Sequence, residues 1–106
     1  MNAKTVTAIE VMHRAFGENG VKVADVIPAK PFVDPEDALD QAYRSTNTID
    51  DAWWKNDDVS PSDAVKARGG ARSTSVGDVV RLGFSDGTVA SWVCANFGWT
   101  PVTEGE

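Results

Sequence analysis

The chain has 106 residues, a formal net charge of −6 and a single cysteine, Cys94. A chain of this length suits one domain with one core, and a single cysteine excludes an intramolecular disulfide and a cysteine-based metal cluster. No apolar run reaches the roughly 20 residues of a membrane-spanning helix, and none follows a basic N-terminal region as in a signal peptide. We therefore expect a cytoplasmic protein without membrane contact, and no motif indicates a cofactor.

The negative charge bears on the class of partner. It opposes the phosphate backbone of nucleic acids, so direct nucleic-acid binding is disfavoured, whereas a basic or DNA-binding protein partner is compatible with it. A net charge of this size also occurs in ordinary small domains, where it only maintains solubility. Both interpretations stay open at this point.

Two strands are predicted at the N-terminal end of the domain. Residues 5–13 are rich in β-branched types and alternate along one face, although their apolar spacing also fits a helix. A strand is favoured because Asn19-Gly20 follows, a dipeptide typical of a type I′ hairpin turn. Residues 21–27 then predict the returning strand, which Pro28 ends.

The clearest helix start lies at Asp34-Pro35. Asp34 can cap the free N–H groups of the first turn, and Pro35 suits the first helical position because its missing N–H is not needed there. The helix is predicted over residues 35–46, with Asn47 as a left-handed stop. Its buried face is predicted to carry Leu39, Ala42, Tyr43 and Thr46.

The remainder of the chain predicts an irregular segment followed by strands. Residues 48–71 are irregular, with a short helix predicted over about residues 61–67 and closed by Gly69-Gly70. Such a long loop in a small domain is functional or mobile.

In the C-terminal third, a turn at residues 76–78 leads into a strand, and Asp86-Gly87 indicates a second hairpin. A short last strand precedes a disordered tail at residues 103–106. The sequence thus predicts a single globular α+β domain over residues 1–102. Its small antiparallel sheet of about five strands, built from two hairpins and the last strand, packs against one main helix.

One string carries a family resemblance. Residues 72–80 read RSTSVGDVV, and residues 96–99, after the next strand, read NFGW. This arrangement, over about residues 36–102, resembles the YodL-like domain, whose members carry a similar Arg-Ser-x-Ser-x-x-Asp string before a strand. The resemblance implies a small domain found in phage, plasmid and conjugative-element proteins, and it implies no enzymatic activity. Trp53 and Trp54, with the longer acidic loop, depart from the family pattern.

Arg72, Ser73, Ser75 and Asp78 form the densest polar cluster in the sequence. In one interpretation Arg72 presents its guanidinium fork to a carboxylate or phosphate of a partner, with hydroxyl groups beside it. In the other, Arg72 and Asp78 pair with each other to fix the start of the strand, while a serine bonds to the turn backbone.

Trp53 and Trp54 are adjacent, so they are hard to bury together on one apolar face. At least one indole is expected to be partly exposed or to hold the loop onto the core. Beside Asp57 and Asp58, an exposed indole is a suitable contact for a protein partner. The alternative is that both rings pack under the loop.

The residue types give little support for catalysis. His13 and Cys94 are the one histidine and the one thiol, and Cys94 lies in an alternating apolar strand, where a free cysteine is usually a small buried hydrophobe. Asp50, Asp51 and the two following aspartates lack the ligand spacing and glycine of a calcium loop, so they indicate a solvated acidic face. We expect no catalytic residue and no metal site.

These observations favour a small non-enzymatic protein-interaction module, encoded by a phage or plasmid and acting on a host or element protein. A sharper version is an inhibitor of a DNA-binding enzyme that acts through its acidic face. The alternative is a nucleic-acid-binding accessory domain with a basic and aromatic patch around Arg68 and Arg72, to which Lys66 and Arg81 also belong. The predicted partner-binding residues are Trp53, Trp54, Asp57, Asp58, Arg72, Ser73, Ser75 and Asp78.

Overall fold

A computed structural model provides the structure, and it describes residues 4–14, 21–47, 53–70, 72–96 and 98–102. Within these ranges one antiparallel sheet of six strands packs against one main helix, so the fold is α+β as predicted, with slightly more strands than the five expected. The elements are β1 (Val6–His13), β2 (Val21–Val26), α1 (Pro35–Ser45), a single 3₁₀ turn (Trp53–Lys55), β3 (Val59–Pro61), α2 (Asp63–Arg68), β4 (Val79–Phe84), β5 (Val89–Ala95) and β6 (Gly98–Val102).

The strands lie in the order β3-β2-β1-β4-β5-β6, and every neighbouring pair is antiparallel. The two predicted hairpins, β1–β2 and β4–β5, meet where β1 pairs with β4. Ile9 of β1, for example, lies opposite Leu82 of β4 on one side and opposite Val26 of β2 on the other. The predicted Asn19-Gly20 turn lies outside the described residues.

The strand prediction for the first segment is confirmed, from Val6 onwards. Ile9, Val11 and His13 are buried on the face that α1 covers, whereas Glu10 and Met12 lie on the opposite face. Successive side chains of a strand point to opposite faces of the sheet, and the helix covers one of these faces. Buried and less buried residues therefore alternate along β1.

Helix α1 begins as predicted and ends one residue earlier. The Asp34 carboxylate accepts a hydrogen bond from the backbone N–H of Glu36, and Pro35 is the first helical residue. Thr46 forms the C-cap with a φ of −111°, outside the left-handed region, and a left-handed Asn47 stays a prediction. The Asn47 side chain donates to the carbonyl of Thr74 at 2.9 Å, which ties the helix end to the segment before β4.

The core lies between α1 and the centre of the sheet. Ala38, Leu39 and Ala42 are fully buried on the helix, which packs against β1 and β4. Tyr43 was predicted on the same face, but it is 39% exposed. The reason is that its ring lies at the side of the helix, next to Trp99 of β6.

The segment from Trp53 to Gly70 has more regular structure than the predicted loop. Strand β3 was not predicted, because three residues are too few to show a pattern and their partner strand β2 is distant in sequence. The short helix α2 begins at Asp63, with Ser62 as its N-cap, two residues later than predicted. It ends at Gly69 in the left-handed conformation, as predicted.

The sheet face opposite α1 carries a row of charges across three strands. Arg81 bonds to the Glu10 carboxylate at 2.8–2.9 Å, and Lys22 lies 3.4 Å from it. Burial disfavours the Glu10 carboxylate, but the hydrogen bonds and charges of Arg81 and Lys22 outweigh it and hold the pKa of Glu10 below its ordinary value. In the described residues, no helix has the length and apolar character that crossing a membrane requires.

Candidate functional site

Asp78, at the start of β4, is the centre of a buried polar cluster. The two terminal nitrogens of Arg72 donate to its two carboxylate oxygens at 2.6 and 2.8 Å. The backbone N–H groups of Arg14 and Ser75 each donate to it at 2.8 Å. The Arg-Ser-Thr-Ser motif therefore folds back on its own aspartate, which agrees with the second of the two interpretations of this string.

Thr74, in the middle of the same motif, joins the cluster to the helix and to β1. The Thr46 hydroxyl donates to the carbonyl of Ala42 at 2.7 Å, so its oxygen accepts from the Thr74 hydroxyl at 2.7 Å. Thr74 in turn accepts from Nε2–H of the buried His13 at 3.2 Å. Because each hydroxyl has one proton, this order of donors fixes a proton on Nε2 of His13.

The cluster is internally satisfied. Among the described residues, every buried polar side-chain atom has a hydrogen-bond partner. Ser73 and Ser75 are half-buried beside the turn, where the Ser75 hydroxyl lies 3.5 Å from the Ser73 carbonyl. Four predicted site residues, Arg72, Ser73, Ser75 and Asp78, thus come together. The contacts of Asp78 and Thr74 join the motif to the end of β1 and to the end of α1.

The two adjacent tryptophans have different environments. Trp53 is 1% exposed, its Nε1–H donates to the Arg72 carbonyl at 3.0 Å, and its ring meets that of His13 edge-on. Trp54 is half-buried and packs on Trp53 and over Gly70. The expectation that one indole is partly exposed is confirmed for Trp54, and Trp53 belongs to the core.

The neighbouring aspartates also separate. Asp57 is exposed, whereas Asp58 is half-buried and accepts hydrogen bonds from the Gln41 amide and the Ser45 hydroxyl of α1. Asp58 therefore ties the loop to the helix, and its assignment to a solvated face was wrong because the helix packs against it. Asp50 and Asp51 lie outside the described residues, among which no cluster suited to a metal ion is found.

Cys94 is buried on β5, as predicted for a small hydrophobe. Burial raises the pKa of its thiol, and the negative charge of Asp78 raises it further. An activated cysteine nucleophile needs the opposite environment, one that stabilises the thiolate.

Two cations of the predicted basic patch have carboxylate partners in the domain. Arg72 binds Asp78, and Arg81 binds Glu10 on the outer face of the sheet. Lys66 is exposed on α2, and the side chain of Arg68 lies outside the described part of the chain. Nucleic-acid binding around Arg68 and Arg72 stays a prediction.

A groove opens between α1 and the strands β5 and β6, with a volume of about 910 Å³. Its origin is geometric. A helix about 10 Å wide covers roughly two strands spaced about 4.8 Å apart, and α1 packs on β1 and β4. Two large helix-facing side chains, Trp92 of β5 and Trp99 of β6, are therefore only partly covered.

Two aromatic rings line this groove. Tyr43 of α1 and Trp99 of β6 meet edge to face, with centroids 6.5 Å apart and planes at 81°. The indole N–H of Trp99 donates to the Asp40 carboxylate at 3.3 Å. Val76, in the turn before β4, lies at the groove and is 50% exposed.

Sequence reasoning did not find these groove residues. Tyr43 was assigned to a buried face, and Val76 was treated only as part of a turn. Their neighbour Trp99 lies on the last strand, and nothing local in the sequence places that strand beside α1. The one available signal was the number of tryptophans, four in the chain, which indicated that indole rings dominate a core or an interface.

No family model, no curated protein sequence and no solved structure matches the chain. The likeness to the YodL-like domain therefore rests on the strings at residues 72–80 and 96–99 and on their arrangement in the sequence.

Proposed function

We propose that the domain is a non-enzymatic module that binds a polypeptide partner in the groove between α1 and β5–β6. The observation that carries this proposal is the aromatic pair Tyr43 and Trp99, which lines an open groove beside the exposed Val76. Tyrosine and tryptophan are enriched at the energetic centres of protein interfaces, because they bury a large apolar area and keep a polar group for hydrogen bonding.

The shape of the groove favours a polypeptide over a small molecule. Small-molecule sites enclose most of the ligand surface, whereas this groove is open and reaches Gly98 and Trp99 on the outermost strand. Charged side chains flank the aromatic pair, with Asp37 and Asp40 on the helix and Lys30 before it. An apolar centre with a charged rim is the usual anatomy of a protein interface.

The proposed function is the protein-interaction module predicted from the sequence, but the binding surface is the groove rather than the loop and the Arg-Ser-Thr-Ser motif. Asp57 is the exposed member of the predicted partner-binding set and Trp54 is half-buried; contact through them stays a prediction. The mobile-element origin, and the inhibition of a DNA-binding enzyme through the acidic face, are supported by the motif and by the charge of −6. We carry them as proposals about the partner.

Affinity capture from cells of the source organism tests the binding surface. Val76→Asp places a charge in the groove, and Val89→Asp is the matched control, because Val89 is 58% exposed on the opposite face of the sheet. We expect the parent and Val89→Asp to capture the same partner in equal amounts. Val76→Asp should capture at least about tenfold less of it, because a buried unpaired charge is costly. Equal capture by all three variants would contradict the groove, and loss with Asp57→Lys alone would favour the acidic loop.

A further inference from the structure

The free edge of β6 borders the groove. In the described part of the chain β6 pairs only with β5. The backbone N–H and C=O of Cys94 on β5 bond to Asp78 and Gly77, on the β4 side. Because successive residues of an antiparallel strand alternate their bonding sides, Val93 and Ala95 bond towards β6.

This alternation determines which groups of β6 face outwards. Val93 and Ala95 lie opposite Thr100 and Gly98, so those two residues bond inwards, to β5. The backbone of Trp99 and of Pro101 therefore points to the free edge. The edge offers the N–H and C=O of Trp99 and the C=O of Pro101, which has no N–H to donate.

The side chain of Trp99 lies on the helix side of the sheet, where it contacts Tyr43 and Asp40. In antiparallel pairing, directly opposite residues place their side chains on the same face. A residue paired with Trp99 would therefore exchange two backbone hydrogen bonds with it and place its side chain in the groove, beside the indole and the Asp40 carboxylate.

We propose that the partner segment is an extended strand that adds antiparallel to β6, with a lysine or arginine opposite Trp99. This inference rests on the proposed function. The cation lies between an aromatic pair and a carboxylate, two environments that each attract it. The next residue of the segment lies opposite Thr100 on the outer face of the sheet, near Val93, and suits a β-branched side chain.

The charge next to Trp99 agrees with a basic residue at this edge. Asp37 and Asp40 are one helical turn apart on α1 and both line the groove. Of the basic residues that line it, Arg44 also borders a smaller groove with Gln41 and Asn56. Lys30 also lines the groove, where its ammonium lies 5.6 Å from the centroid of the Phe32 ring. The charged group in contact with Trp99 is the Asp40 carboxylate.

Selection from a displayed library of random linear peptides on the purified full chain tests strand addition. We expect enriched sequences of about six residues, the usual strand length, in which basic and β-branched residues alternate. Replacing Trp99 with alanine should abolish their binding while the far-UV circular dichroism stays unchanged. Failure to enrich any peptide, or enrichment without alternation, would overturn the proposal.

An N-methyl scan of the enriched peptide provides the sharper readout. Two peptide N–H groups, two residues apart, are donors to the carbonyls of Trp99 and Pro101, so methylation at these positions should weaken binding about tenfold or more, and at the residue between them much less. Pro101→Thr adds the missing donor and should tighten binding about three- to tenfold.

A flat methylation profile or an unchanged affinity in Pro101→Thr would overturn strand addition by a partner. A stable dimer of the parent chain, detected by light scattering and paired through β6, would overturn it as well. The capture comparison of Val76→Asp with Val89→Asp is independent of these results. If that comparison succeeds while the peptide tests fail, the groove still binds a partner but not by strand addition.

Discussion

At the scale of single residues, Asp78 makes the most consequential contacts. Its buried carboxylate accepts from the Arg72 guanidinium and from two backbone N–H groups, those of Arg14 and Ser75. A carboxylate in this position neutralises a guanidinium that is 28% exposed, and it accepts from two backbone donors at the same time. We infer that Asp78 positions the turn before β4 and that Arg72 serves the fold.

Asp78→Asn should destabilise the domain by about 3 kcal/mol, because it leaves the Arg72 charge without its partner and replaces an acceptor with a donor. Urea unfolding followed by fluorescence measures this change in the free energy of unfolding. The matched control is Asp57→Asn on the exposed loop, which should change stability by less than about 0.5 kcal/mol. Equal stabilities of the two variants would show that the cluster does not hold the fold.

Cys94 makes stability depend on pH in the alkaline range. Burial and the charge of Asp78 raise the thiol pKa in the folded state, so the unfolded chain releases the thiol proton at a lower pH than the folded chain. The contribution is fully present below the ordinary thiol pKa and is lost as pH rises through the folded value. Between about pH 8 and pH 10, the free energy of unfolding of the parent should fall more steeply than that of Cys94→Ala. Parallel curves would contradict this origin.

At the scale of elements, two neighbouring glycines test how Trp54 is held. Both have positive φ, 78° at Gly69 and 140° at Gly70. A Cβ at Gly69 would meet open space, whereas one at Gly70 would overlap the six-membered ring of Trp54. The contrast separates backbone strain, common to both positions, from packing, which differs.

Gly69→Ala should therefore cost about 1 kcal/mol from backbone strain, and Gly70→Ala about 3 kcal/mol because it also displaces the indole. Thermal unfolding measures both, and only Gly70→Ala should shift the tryptophan emission spectrum. If both variants lose the same stability with the same emission, Trp54 is not packed over Gly70.

The elements also show which features could be predicted from the sequence. The start of α1 was predictable because Asp34 and Pro35 act locally, within one turn, and the left-handed Gly69 ends α2 for an equally local reason. The end of α1 was missed because Thr46 is held by Thr74, a contact between distant parts of the chain. Strand β3 was missed for the same reason, since its ladder is to β2, which is distant in sequence.

The candidate site was less predictable than the fold. The motif at residues 72–80 was noticed for its polar density, but polarity alone does not distinguish an internal ion pair from one offered to a partner. The groove required Tyr43 and Trp99 to lie side by side, and that depends on the strand order, which no local pattern encodes. The groove becomes visible only in the tertiary structure, where the main helix covers part of a sheet that has six strands in the described residues.

At the scale of the whole molecule, charge and topology act together. The net charge is −6, and the guanidinium groups of Arg72 and Arg81 already bind carboxylates of the domain. A surface that attracts a phosphate backbone needs unpaired cations on one face. We expect the molecule to select polypeptide partners over nucleic acids.

A gel-shift experiment at low salt tests this selection. The domain at micromolar concentration should leave the mobility of single- and double-stranded DNA unchanged, because its charge repels the backbone. A complex that weakens steeply as salt is added would contradict the account. It would favour instead the predicted patch around Arg68 and Arg72.

Photo-crosslinking in living cells of the source organism tests the groove most directly. A photoreactive amino acid in place of Tyr43 lies beside Trp99 in the groove, and the same amino acid in place of Val89 lies exposed on the opposite face. The account predicts a discrete crosslinked adduct with a polypeptide from position 43 and none from position 89. No adduct from position 43, or equal adducts from both positions, would contradict the groove as the binding surface.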